Sequence, residues 1–201
     1  MLFVSVLLLF GSSFVAGQEV IFEDKFEGNL RPGWNWLRAN PACQRFGSDG
    51  LEIRAEPFAE NAARNVLARR VDFLGKGPVR IETRLSCIKR PVQQYQQSGL
   101  CWMQNGQVVF KLVYELVDNQ LFIFPGKVPI DSDSATLRLT LNGDDLVAEF
   151  QAGNESGYRR VYEGKLTGSN DDEISLQCWN GPENDEHWVR FRYFRVYKAE
   201  D

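Results

Sequence analysis

Apolar residues recur along this chain at every second position, not every third or fourth. Val79, Ile81, Thr83 and Leu85 share one parity, and Arg80, Glu82 and Arg84 the other, the pattern of a half-buried strand. Residues 20–26 and 51–55 alternate in the same way. Further β-rich runs cover 98–104, 108–116, 121–124, 136–141, 146–152, 158–163, 174–179 and 188–197. Asn105-Gly106 predicts a tight hairpin between two of them, Asp118-Asn119 a turn between the next pair, and the 142–145 stretch (NGDD) a third hairpin. No long stretch keeps a helical period, and residues 59–66 predict only a short helical turn. About a dozen short strands at regular spacing predict an all-β chain, a two-sheet antiparallel β-sandwich of jelly-roll type.

Organisation follows from the ends and the cysteines. Leu2 to Phe10 is apolar except for Ser5, and Val15 and Gly17 place small residues where a signal peptidase cuts. Residues 1–17 therefore read as a signal peptide, too short for the ~20 residues a bilayer span needs. Residues 18–201 read as a single domain, secreted or periplasmic, with no membrane association after cleavage. The four cysteines Cys43, Cys87, Cys101 and Cys178 behind such a signal predict two disulfides. If 79–88 and 98–104 form a hairpin, Cys87 and Cys101 fall almost opposite each other, within bridging range; the other pairings stay open. The formal charge of −4 and the lack of a long basic run argue against a nucleic-acid partner. Asn154-Glu155-Ser156 is a glycosylation sequon.

Catalytic chemistry finds little purchase. His187 is the single histidine, so a nucleophile–base pair would have to be built around it, and no His/Cys cluster has zinc spacing. Glycoside hydrolysis needs two facing carboxylates, and the Glu-x-Asp-x-x-Glu strand motif of sandwich glucanases is missing. Glu52, Glu82, Glu115 and Glu149 each sit inside a strand pattern, and read as solvated charges opposite an apolar face. A noncatalytic protein is the expectation, with a glycan-cleaving enzyme built on an unrecognised carboxylate pair as the alternative reading; as for cofactors, none is called for. A structural calcium ion is the one alternative, with Glu23, Asp24 and Glu27, or Asp131-Ser132-Asp133, as oxygen donors.

An ordered series of segments carries a family resemblance: IFEDKFEG (21–28), WNWLRANP (34–41), GLEIRAE (50–56), ARNVLARRV (63–71), RIETRL (80–85), SGLCWMQNGQVVFKL (98–112), with Ser98 in place of an alanine, and HWVRFRYFRVYK (187–198). Together they resemble the concanavalin A-like lectin/glucanase sandwich family, and within it the C-terminal domain of family-43 β-xylosidases and related bacterial domains of unknown function. The resemblance implies a lectin-like two-sheet fold. In the xylosidases this domain accompanies a catalytic propeller, which this sequence lacks, so the implied roles are a free sugar-binding module, a partner of a separate enzyme, or a protein-interaction domain. Function has to be argued from the site.

Sugar sites combine aromatic platforms with planar polar side chains. Two groups offer that chemistry: Trp102, Gln104 and Asn105 at one hairpin, and Trp179, Asn180, Glu183, Asn184, His187 and Trp188 around a Gly-Pro turn. Carbohydrate is the expected partner, with a protein partner as the alternative. Trp34 and Trp36, two apart and so on one strand face, are expected to pack into the sandwich.

Overall fold

The computed structural model describes residues 18–57, 63–72 and 77–199. Their strands form two antiparallel sheets. Sheet I runs, edge to edge, β13 (Arg159–Lys165), β12 (Asp145–Ala152), β11 (Ser134–Asn142), β6 (Val79–Cys87), β15 (His187–Lys198), β4 (Gly50–Ala55) and β3 (Gln44–Gly47), and β1 (Val20–Asp24) also pairs with β15. Sheet II runs β10 (Val128–Pro129), β9 (Gln120–Phe124), β8 (Gln107–Val117), β7 (Gln97–Gln104), β14 (Glu173–Trp179), β5 (Val66–Arg70) and β2 (Trp34–Leu37). The predicted β-sandwich is the observed architecture.

Alternation sets the core. Val79, Ile81 and Leu85 of β6 face Leu100 and Trp102 of β7 and Leu112 and Tyr114 of β8 across the layer, all buried. Trp34 and Trp36 pack onto this core as expected. The Trp34 ring meets Phe194 edge-on at 5.0 Å, and its indole N–H donates to Asp24 at 3.0 Å. Asp24 also accepts from the backbone N–H of Phe26 and Arg31. The hairpins fall where the turn residues put them: Asn105 and Gly106 have φ of 51° and 72°, Asp118 and Asn119 of 50° and 63°, the doubly positive φ that a two-residue loop needs to match strand twist.

Three expectations change. Residues 79–88 and 98–104 do not form a hairpin, because β6 and β7 belong to different sheets. Cys87 points into the core, while Cys101 has the parity of the outer side of sheet II, so their proposed bridge has no geometric basis. All four thiols are free and buried, and burial pushes Cys87 and Cys101 each up to about 12. Third, Glu52, Glu82 and Glu115 are not solvated strand charges but buried ones. The helical turn expected at 59–66 lies mostly outside the described residues, and Val66 already belongs to β5. The expected signal peptide lies wholly outside them.

Glu82, 5% exposed, ties the outer side of sheet I together. It accepts from Arg138 (2.8 Å) and Tyr158 (2.7 Å) at one oxygen and Tyr193 (2.8 Å) at the other. Burial would raise its pKa, but the hydrogen bonds from Tyr158, Arg138 and Tyr193 outweigh that and hold it below the usual carboxylate value. A depressed folded pKa means the stabilisation is full above the unfolded value and lost as pH falls through the folded one. Glu82→Gln is therefore expected to cost about 3 kcal/mol at pH 7, read by urea unfolding. The difference from wild type should shrink in acid.

Candidate functional site

Sheet II has an outer side that is itself largely buried near its middle. Val113, Cys101, Met103, Ser175 and Gln177 are buried there, although they point away from the core. Backbone register places one row of residues side by side across four strands. Phe122 of β9 pairs with Glu115 of β8, Glu115 with Gln97 of β7, and Gln97 with Trp179 of β14. Glu56, just past β4, bridges to Trp179 and extends the row. With strands spaced about 4.8 Å apart, Phe122 and Trp179 lie about 14 Å apart along it.

The chemistry of the row is graded. Aromatic rings stand at its ends: Trp179 is half-buried, and Phe122 sits beside Phe124 with ring centroids 6.3 Å apart. Planar amides and charges fill the middle. The Lys111 ammonium donates to Gln97 Oε1 at 2.8 Å, lies 4.0 Å from Glu115 Oε2, and is 5.7 Å from the Trp179 ring centroid. Gly99 stands between Gln97 and Cys101 on β7, opposite Val113; a Cβ there would run into the backbone of β8 and the core residue Leu137. Below, Gln177 Nε2 donates to Ser175 Oγ at 2.8 Å, and that hydroxyl donates to the Cys101 carbonyl. Among the described residues no acceptor meets the Trp179 indole N–H.

The loop 88–96 borders the row and is clipped to it. Tyr95 N–H donates to the Leu116 carbonyl at 2.8 Å, and Asn180 Nδ2 to the Gln94 carbonyl at 2.6 Å. Tyr95 is 54% exposed and holds φ at 63°, a backbone region that bulky residues rarely adopt. Such conformations gather at ligand-binding edges.

Of the residues singled out in the sequence, the row contains Trp179, with Asn180 next to it. The others are scattered. Trp102 is 0% exposed and lies in the core, so it presents no ring face to a ligand. Gln104 donates to the Thr167 carbonyl at 2.8 Å, and Asn105 is the exposed turn residue of its hairpin. His187 is also 0% exposed: its Nδ1 meets Gln96 Nε2 at 3.1 Å and its Nε2 meets Asp185 Oδ2 at 3.3 Å. It is a post that fixes the loop, out of reach of a ligand. Trp188 faces outward from sheet I, the opposite side of the sandwich, under the Arg45 guanidinium at 3.9 Å. Glu183 and Asn184 are exposed and line clefts of about 450 and 420 Å³ that hold no aromatic residue. A cleft of about 540 Å³ on sheet I contains Arg84, Arg192 and Arg195, but Arg192 pairs with Asp49 and Arg195 with Glu23. Of the suggested calcium donors, Glu23 is taken up by Arg195 and Asp24 by three N–H groups. Asp131 and Asp133 approach Arg90.

Gln97, Lys111 and Gln177 were not singled out in the sequence, and Glu115 was read there only as a solvated strand charge. Their signal is there: each is a long polar residue at the outward position of a strand whose inward positions are apolar. A polar side chain so placed is either paired on the surface or aimed at something.

No family model and no curated protein matches this chain. Solved structures do. The xylan β-1,4-xylosidase of Bacillus halodurans C-125 superposes with a TM-score of 0.69 at 16% identity, over 87% of this chain and 38% of that one. The GH43 protein BlXynB of Bacillus licheniformis gives 0.67 at 13% identity, over 88% and 39%. The CBM2 module of the evolved Dit of Lactobacillus casei BL23 phage J-1 gives 0.61 at 8% identity, over 92% and 98%. The chain thus spans about two fifths of the xylosidase-type chains and nearly the whole of the phage module. The likeness is one of fold: the sandwich of family-43 proteins and of a CBM module is the sandwich seen here.

Glu115 gives this face a stability signature. Burial raises its pKa, and Lys111 only partly offsets that. A carboxyl with a raised folded pKa weakens the fold as pH rises through that value. Glu115→Gln is therefore expected to raise the unfolding temperature at pH 7. The gain should vanish below the ordinary carboxylate range. Thermal unfolding at the two pH values reads this directly.

Proposed function

We propose that this protein is a secreted or periplasmic, noncatalytic carbohydrate-binding β-sandwich, accessory to a separate glycan-degrading enzyme. The observation that carries this reading is the row from Phe122 to Trp179. Aromatic rings at both ends bracket Glu115, Lys111 and Gln97 on one sheet face. Sugar rings offer apolar C–H faces to stack on aromatics and hydroxyls to meet planar polar groups. The xylosidase-type and CBM structures that share the fold are consistent with it.

The carboxylates favour binding over hydrolysis. Glu115 and Glu56 are the acids of the row, three strand spacings apart, about 14 Å. Paired glycosidase carboxylates stand about 5–9.5 Å apart. Glu56 is moreover held by Asn40 and Asn65, which leaves it little freedom to act as acid or base.

A glycan array probed with residues 18–201 tests the reading. Wild type should bind a polysaccharide class, and Trp179→Ala should weaken that binding by about 2 kcal/mol, roughly thirtyfold. Trp188→Ala, on the opposite face, should bind as wild type does. Equal loss from both variants, or no glycan bound, would count against this face. Release of reducing ends from a polysaccharide panel would replace the reading with an enzymatic one.

A further inference from the structure

The fold treats the three buried strand glutamates differently. Glu52 accepts from Arg45 and Arg190, and Glu82 from Arg138 and two tyrosines. Glu115 is as deeply set, with its side chain 8% exposed, yet among the described residues nothing donates a hydrogen bond to it. Lys111 stands 4.0 Å away and gives its hydrogen bond to Gln97 instead. A carboxylate has about four acceptor positions, and no donor among the described residues fills those of Glu115. The fold keeps this acid on the row, beside its most apolar platform, with its acceptors open.

The complement of such a group is a set of donors without a charge. A cationic donor would be repelled by the Lys111 ammonium, and an acidic ligand would be repelled by Glu115 itself. Two neighbouring hydroxyls match the two carboxylate oxygens, and a body with a flat C–H face matches Trp179 and Phe122. We propose that Glu115 anchors the ligand by accepting adjacent hydroxyls of an uncharged sugar chain lying between Trp179 and Phe122, and that it turns away chains built of uronates. This rests on the carbohydrate reading above and sets its substrate class.

Affinity electrophoresis separates the two. The probes are neutral polymers (xylan, mixed-linkage β-glucan, mannan) and uronate polymers (alginate, polygalacturonate), run with wild type, Glu115→Gln and Trp179→Ala. Wild type should bind one or more neutral polymers at least about tenfold more tightly than any uronate polymer. Glu115→Gln should lose at least about tenfold on the neutral polymer, the equivalent of about 1.4 kcal/mol. It should also narrow the gap to the uronates, because Lys111 then stands without its acid. Its unfolding temperature shows that it is folded. Full retention of neutral binding by Glu115→Gln overturns the anchor but leaves a carbohydrate-binding face, as does wild type preferring uronates. No binding by wild type to any polymer overturns the carbohydrate reading and the anchor with it.

Discussion

Backbone register across sheet II is the constraint on which the rest depends. Side chains alternate with a period of two, so a one-residue slip of β8 against β7 would exchange its faces. Glu115 and Lys111 would enter the core, and Tyr114 and Leu112 would leave it. The apolar core therefore enforces the polar row without touching it. Leu112, Tyr114 and Leu116 are buried on one side. Their burial decides that Lys111, Val113 and Glu115 face outward. The tight turns at Asn105-Gly106 and Asp118-Asn119 fix the same register from both ends of β8.

The two sheets carry charge in opposite ways. Sheet I spends its outer side on closed networks: Glu82 and Glu52 each meet several donors, and Arg192 and Arg195 meet acids. In these networks the carboxylates of Glu82 and Glu52 are met by donors on both oxygens. On sheet II, no donor among the described residues meets Glu115, and no acceptor among them meets the Trp179 indole N–H. That contrast, more than the size of any cleft, is why the site is assigned to sheet II. The cost is an acid that weakens the fold at neutral pH, the kind of local instability that functional sites retain.

Much of the fold was legible in the chain. Val79 to Leu85 alternate plainly because β6 lies at the centre of sheet I with one polar side, and the Asn-Gly and Asp-Asn turns name their own geometry. β2, β3 and β5 were harder, because they are short and β5 is buried at both parities over its first residues. The cysteine argument failed for a topological reason: two successive strands need not pair, and here β6 and β7 are in different layers. Trp102 was misjudged because a hairpin address says nothing of which side a ring takes; its parity with Leu100 puts it in the core. The Gly-Pro turn gathered Trp179, His187 and Trp188 in sequence, but the chain passes from sheet II to sheet I there and sends them to three different environments. The polar row itself was hidden, since its members are distant in sequence and become neighbours only through strand order.

The most direct measurement is a two-dimensional NMR titration that follows the Trp179 indole N–H and the side-chain amides of Gln97 and Gln177 as neutral oligosaccharide is added. These signals report from the row and from the polar layer just beneath it. The account predicts that they shift together and saturably, with the Trp188 indole N–H unmoved on the far side of the sandwich. Shifts confined to Trp188 and the arginines of sheet I would contradict it.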